Sequence, residues 1–179
     1  MAYSTPLTAV SSTALTAAQW NASVRDNILE TPAAKFTTAG RIFVSTGANA
    51  GAERAIESTT VSTSQTTTNT SYTNLATTGP VVTVTTGTRA LVFGNAFMSS
   101  NSIGQKSWIS CAVSGATTLA ASDIISGEFQ AYGSNAEYRG GFATLFKALN
   151  AGSNTFTMQY RVSAGTTTYQ DRELTVVAL

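Results

Sequence analysis

The stretch "NTFTMQYRVSAG", residues 154–165, alternates with a period of two. Phe156, Met158, Tyr160 and Val162 fall on one side, and Thr157, Gln159, Arg161 and Ser163 on the other. Successive strand residues point to opposite faces, so the pattern describes a strand with one buried and one polar face. "RELTVVAL", residues 172–179, reads as a final strand running to Leu179 and is expected to be tied into a sheet. Asp171, Arg172 and Glu173 are expected to form cross-strand pairs at a sheet edge.

The same grammar extends back to about residue 71. Apolar runs alternate with turn signals at Gly79-Pro80, Gly87, Asn101 to Gly104, Gly115, Gly127, Gly133 to Asn135, Gly140-Gly141, Asn150 to Asn154 and Gly165. No helical period intervenes, which points to an antiparallel sandwich or barrel over residues 71–179. Two segments break the alternation. "RALVFGNAFMSS" carries Leu91, Phe93 and Phe97 on one face and Ala90, Val92, Ala96 and Met98 on the other. "GFATLFKAL" sets Phe142 and Phe146 against Ala143, Leu145 and Leu149. A strand apolar on both faces needs cover on both. The cover is either a neighbouring subunit or the chain's own N-terminal arm. The first gives Val92, Ala96, Met98 and Leu145 as the expected subunit contact, with a symmetric trimer burying their faces around its axis.

Upstream the character changes. Residues 32–70 read as an extended connection with one short strand signal, "RIFVS", and a turn-rich "TGANAGAE". The following "STTVSTSQTTTNTS" has Val61 as its one large apolar residue and reads as a linker or a weakly held edge strand. Extended at about 3.3 Å per residue, such a stretch spans roughly 45 Å.

Residues 1–31 form an N-terminal arm with one helix in "LTAAQWNASVRDNILETP", residues 15–32. Thr16 and Gln19 are spaced for a capping box, Leu15 and Trp20 for a hydrophobic staple, and Pro32 stops the helix. Trp20, Val24 and Ile28 make a narrow apolar stripe. A helix of this length is marginal in water unless packed. It docks either on the chain's own β domain or in an assembly contact, and the low-burial connection favours the second. Leu15, Trp20, Val24 and Ile28 are therefore the expected assembly anchor.

Composition narrows the chemistry. The chain has 179 residues, ten Lys and Arg against nine Asp and Glu, and no histidine. Charged residues are 11%, against about 25% in ordinary soluble domains. The basic residues are scattered, so no phosphate footprint exists and nucleic acid is not expected as a partner. Absence of histidine removes Ser-His-Asp and Cys-His nucleophiles and most zinc sites. No phosphate loop, dinucleotide fingerprint or calcium loop occurs, so no cofactor and no enzymatic activity is expected. Cys111 shares a face with Ile109 and Val113 and reads as a buried thiol. Glu128 and Glu137 flank "GEFQAYGSNAEYRGG" and read as solvated loop charges rather than an acid–base pair. The same loop brings Tyr132, Asn135, Tyr138 and Arg139 together in sequence as a candidate glycan loop. No signal-peptide pattern or membrane-length apolar run is present, so the chain reads as made in the cytoplasm, with no membrane partner.

Three stretches carry a resemblance. "TAAQWNASVRDNI" resembles an N-terminal segment of many tailed-bacteriophage structural proteins, with its Trp-Asn pair and Arg-Asp-Asn triplet on a short helix. "AGRIFVSTGANAGAERAI" is similar to the Gly-strand-Gly-Ala-Arg units of phage fibre and appendage proteins. "GSNTFTMQYRVSAGTTTYQDRELTVVAL" is similar to the closing hairpin of jelly-roll domains that trimerise on phage heads and fibres, related in shape to tumour-necrosis-factor-like folds. The resemblance implies an antiparallel jelly-roll β-sandwich with an N-terminal arm carrying one short helix. It also implies a virion structural protein without enzymatic activity. The leading expectation is a capsid decoration (cement) protein, a homotrimer on the head that contacts the major capsid protein through its arm. The alternative is a short tail or head fibre whose tip recognises a host surface glycan.

Overall fold

The computed structural model describes residues 7–8 and 12–179. The expected extended arm lies largely outside the described residues. The chain divides into two compact units, residues 1–55 and 56–179.

In the first unit, helical residues run from Ala17 to Leu29. Thr16 caps the run as its sequence suggests: Gln19 N–H donates to Thr16 Oγ1 at 3.2 Å, and Thr16 N–H donates to Gln19 Oε1 at 3.0 Å. The run is not uniform. Between α1 (Ala17–Trp20) and α2 (Asp26–Leu29), residues Asn21–Arg25 form a π-helical segment. Such a segment widens the turn, because each N–H reaches back five residues instead of four. Asp26 N–H accordingly donates to Asn21 O. The Trp20–Val24–Ile28 stripe assumed a constant α-helical period. The inward-turned side chain is instead Asn27, buried with its Nδ2 donating to Ser23 O at 3.0 Å. Leu15 and Trp20 are 51% and 55% exposed, so a staple between them buries little.

A further turn, α3 (Pro32–Lys35), has Pro32 at its first position, where the missing N–H costs nothing. β1 (Ile42–Gly47) and β2 (Ala50–Arg54) form an antiparallel hairpin. Glu53 fixes the approach to it by accepting from Thr37 N (2.9 Å), Thr37 Oγ1 (2.6 Å) and Thr38 N (3.3 Å). These bonds hold its carboxyl below the usual carboxylate range.

The second unit is a two-sheet sandwich. Its strands are β3 (Ile56–Val61), β4 (Gln65–Thr67), β5 (Val81–Thr86), β6 (Ala90–Ser100), β7 (Lys106–Gly115), β8 (Gly127–Gln130), β9 (Ala136–Phe146), β10 (Gly152–Val162) and β11 (Thr167–Ala178). One sheet runs β5-β10-β7-β8. The other runs β3-β11-β6-β9, with β4 also pairing β11. All pairings are antiparallel. From β9 to β11 the chain changes sheet at every step, and β5, β6 and β7 do the same. A four-stranded and a five-stranded layer wound in this order are a jelly roll, as the resemblance implied. Residues 56–70, whose Ser/Thr-rich part reads from sequence as a linker or a weakly held edge strand, supply the edge strands β3 and β4. Their hydroxyl-rich sequence fits because an edge strand need bury only one neighbour.

The core lies between the sheets. Phe156, Met158, Tyr160 and Val162 from β10 meet Ile109, Cys111 and Val113 from β7, all buried. Across from them lie Ala90, Val92, Ala96 and Met98 of β6 and Leu174, Val176 and Ala178 of β11. Burial raises the Cys111 thiol pKa to about 12. Thiol reagents at pH 8 should therefore label Cys111 at the rate of global unfolding; fast labelling of the native protein would show the sandwich opens locally.

The sequence reading of Asp171, Arg172 and Glu173 as edge residues needs correction. β11 is central, and Arg172 is 0% exposed. Pairing with β6 skips between Gln170↔Phe97 and Glu173↔Asn95, a bulge with Asp171 at φ 48°. The extra residue reverses the parity of the strand, so Tyr169 faces inward before it and Arg172, Leu174 and Val176 after it. Period-two reading from either end alone cannot detect that slip.

Candidate assembly interface

The two outer faces of the sandwich differ. Over the β5-β10-β7-β8 sheet the chain covers itself. Arg161 lies 3.6 Å above the Trp108 ring and grips Asp123 with Nε at 3.0 Å and Nη2 at 2.6 Å. Tyr72 donates to the same carboxylate at 2.8 Å. Arg161, chiefly through these bonds, holds the Asp123 carboxyl below its ordinary range, while burial raises Tyr72 to about 12. Trp108 Nε1 donates to Glu128 Oε2 at 2.9 Å, and Lys106 pairs with Glu128 at 2.6 Å. Residues 72–73 and the loop after β7 are thus fastened over this face.

The outer face of the other sheet has no such cover from the described residues of the sandwich. Register defines its rungs. Ile56, Val177, Leu91 and Leu145 form one; Ser58, Thr175, Phe93 and Ala143 form the next. Phe93, Ile56 and Leu145 are 43%, 44% and 38% exposed. Beyond them lies a polar band that satisfies itself. Thr175 Oγ1 donates to Ser58 Oγ (2.9 Å), Ser58 to Glu173 (3.2 Å), Asn95 Nδ2 to Glu173 (3.1 Å) and Arg139 Nη1 to Asn95 Oδ1 (3.2 Å). Arg139 also pairs with Asp171 at 3.4 Å. An apolar band beside a neutralised polar band is the composition of an interface core and its rim.

This geometry moves the expected subunit contact. Val92, Ala96 and Met98 are 0%, 0% and 1% exposed and belong to the chain's own core, so they cannot line a contact; Leu145 does face outward. The outward residues of β6 are Leu91, Phe93 and Phe97. Sequence reasoning identified both apolar faces and placed the contact on the one that the chain buries in its own core. The usable signal was size. Gly94 lies inward where an added Cβ would collide with the Phe142 ring and the Met158 methyl, so the inner face takes small residues and large partners fill it from across.

The other expected sites separate similarly. Of the anchor residues, Leu15, Trp20 and Ile28 are more than half exposed, and Val24 is half-buried. Among the described residues of the first unit, only Asn27 and Ala55 are buried. The candidate glycan loop does not converge. Tyr132 is 85% exposed in the β8–β9 loop, where Asn135 takes φ 57°. Tyr138 stacks on Phe129 at 5.3 Å, and Arg139 turns to the outer sheet face. Glu137, opposite Ser99, faces that outer side, whereas Glu128, opposite Trp108, faces the other. The two carboxylates lie on opposite sides of the sandwich and form no acid–base pair. No group of three or more His, Cys, Asp or Glu able to hold a metal occurs among the described residues.

Strand order defines a jelly-roll module with an apolar outer sheet face exposed. No family model matches the sequence, and no curated protein matches it. Solved structures with a similar strand arrangement include an Eiger TNF from S. frugiperda, 11% identical, with a TM-score of 0.46 over 70% of this chain and 92% of that one. Two chains of infectious bursal disease virus are also similar. The Gx strain structure is 10% identical at a TM-score of 0.46 over 76% of this chain, and the VP2 subviral particle 10% at 0.43 over 75%. This chain spans 36% of the length of each viral chain.

Proposed function

We propose that the chain is a non-enzymatic structural protein of a tailed-phage particle, a capsid decoration (cement) protein that sits on the head as a homotrimer. The observation that carries this reading is the contrast between the two units. The sandwich has a dry core of its own, whereas the first unit buries almost nothing and exposes Leu15, Trp20, Ile28, Leu29 and Phe36. A unit of that size without a core is not stable by itself and calls for an external surface. The major capsid protein supplies it, and the N-terminal unit lies against the shell across subunit boundaries. The apolar rungs around Phe93 and Leu91 close a three-fold contact between sandwiches. Its mechanism is binding energy alone: added contact area opposes the internal pressure of the genome.

Deleting residues 1–31 tests the anchor. The truncated chain should keep a folded sandwich yet lose binding to undecorated heads. Full occupancy by the truncated chain would contradict the reading.

A second reading, a short tail or head fibre, is favoured by one observation. Ile103 and Tyr132 project at the end of the sandwich, 72% and 85% exposed. A fibre needs such a tip; a cement protein does not.

A further inference from the structure

Ile56, the first residue of the sandwich, pairs with Val177 near the end of β11. The loops joining β6 to β7, β8 to β9 and β10 to β11 lie at the other end of the strands, where Thr167 pairs with Ser100 and Ala136 pairs with Ser100. An eleven-residue strand such as β6 separates the two ends by roughly 30 Å. The chain thus presents these loops at the end remote from its point of entry.

The loops are braced rather than loose. Gly104 N–H donates to Ala131 O at 2.7 Å, and Ala131 N–H donates to Gln105 O at 2.9 Å. Asn101 N–H reaches Thr166 O, and Thr166 N–H returns to Asn101 Oδ1, both at 3.3 Å. From beneath, Gln105, itself buried, donates Nε2 to Thr167 Oγ1 at 2.9 Å. Ile103 and Tyr132 flank the bonded Gly104–Ala131 pair, so these two highly exposed apolar side chains stand on adjacent, fixed backbones. Ordering has been completed before any ligand arrives.

The loops at this end are themselves uncharged; the charges that border them are Lys106, paired with Glu128 at 2.6 Å, and Glu137, opposite Ser99. Residues 99–105, 131–136 and 163–168 contain no Lys, Arg, Asp or Glu; they are Ser, Thr, Asn, Gln, Gly and Ala around one Tyr and one Ile. Hydroxyls and amides both donate and accept, and an aromatic face offers an apolar platform. An anionic ligand would lose hydration here beside Glu137, with the bordering Lys106 already paired with Glu128. A ligand with one apolar C–H face and a rim of neutral hydroxyls fits both features.

From this juxtaposition we infer that the braced loop end around Ile103 and Tyr132 binds a neutral carbohydrate. Tyr132 stacks on the sugar ring, Ile103 extends the platform, and Asn101, Ser102, Ser134 and Thr166 surround the hydroxyl rim. The site names the ligand class of the fibre reading's tip and rests on that end facing solvent. It does not depend on what holds the N-terminal unit. Arg139 and Tyr138, grouped with Tyr132 by sequence, take no part.

The test is saturation-transfer NMR on the full chain with maltotetraose, triacetylchitotriose and a galactotetraose as neutral probes, and sialyllactose and a tetragalacturonate as charged ones. At least one neutral probe should give ring-proton transfer at millimolar concentration. Tyr132→Ala should reduce it at least about tenfold and Arg139→Ala should leave it unchanged. Both side chains are exposed, so an unchanged melting curve verifies that each variant is folded. No transfer from any neutral probe, transfer confined to the charged ones, or transfer that survives Tyr132→Ala would overturn the site. None of those results bears on head binding, which the deletion of residues 1–31 examines separately.

Discussion

Replacing Phe93 with Asp should convert the proposed trimer of 18.5 kDa chains into a folded monomer. Phe93 is 43% exposed on the outer face, between Thr175 and Ala143 and one rung from Leu91, Val177 and Leu145. In the proposed trimer each copy buries this ring near the three-fold axis. Losing it removes about 2 kcal/mol of burial per copy, and three carboxylates then face one another in a desolvated centre. Association should weaken by at least about a hundredfold. The monomer should keep its melting temperature within a few degrees, because Phe93 lies outside the core. Val92→Asp is the informative contrast. Its position is 0% exposed within one chain, so that variant should fail to fold. Sedimentation of the two variants separates the contact from the core. A Phe93→Asp protein that sediments as the wild-type protein does would contradict the proposed contact.

The second large effect lies at Arg172, a fully buried cation held without a carboxylate. Its Nη1 donates to Thr77 O (3.4 Å) and Gly79 O (3.2 Å), and its Nη2 to Thr63 O (3.3 Å) and Gln65 Oε1 (3.2 Å). Its guanidinium lies 5.4 Å from the Tyr160 ring centre, and Tyr160 itself donates to Gly79 O at 2.8 Å. One side chain thus gathers the segments on either side of β4 and binds them to the central strand β11. Arg172→Ala leaves several buried carbonyls without donors and opens a large cavity. The expected loss is about 3–5 kcal/mol, or roughly 10 °C or more in melting temperature. Arg172→Lys should recover little, because a point ammonium cannot reach carbonyls arranged for a planar fork. Thermal melts of the two variants check this. A lysine variant as stable as wild type would show that charge, not geometry, holds the segment.

Fold class was legible because β10 obeys strict alternation: every inward residue from Phe156 to Val162 is buried as its parity requires. The capping box was legible because it is local, written in Thr16 and Gln19 alone. Three features were not. The π-helical segment disturbs a stripe that was spaced on an α-helical period. The bulge at Asp171 turns Arg172 into the core, and its cause is a mismatch with β6 that β11 does not reveal by itself. The third is the side of β6 that faces out. Both its faces are apolar, and which one meets the core depends on Phe142 and Met158 filling the space over Gly94. That is a tertiary fact, and it places Val92, Ala96 and Met98 in the core and turns Leu91, Phe93 and Phe97 outward. Leu145 faces outward because β9 pairs with β6 rung for rung and its outer row follows.

The reading of the chain as a particle component held by its N-terminal unit is tested most directly by mixing the 179-residue chain with undecorated heads, removing unbound protein and imaging the particles by cryo-electron microscopy. The account predicts regular three-fold density over the whole shell, with the helix of Trp20 and Ile28 against the capsid subunits and the Tyr132 loops pointing outward. Bare heads, or density confined to the tail or a single vertex, would contradict it.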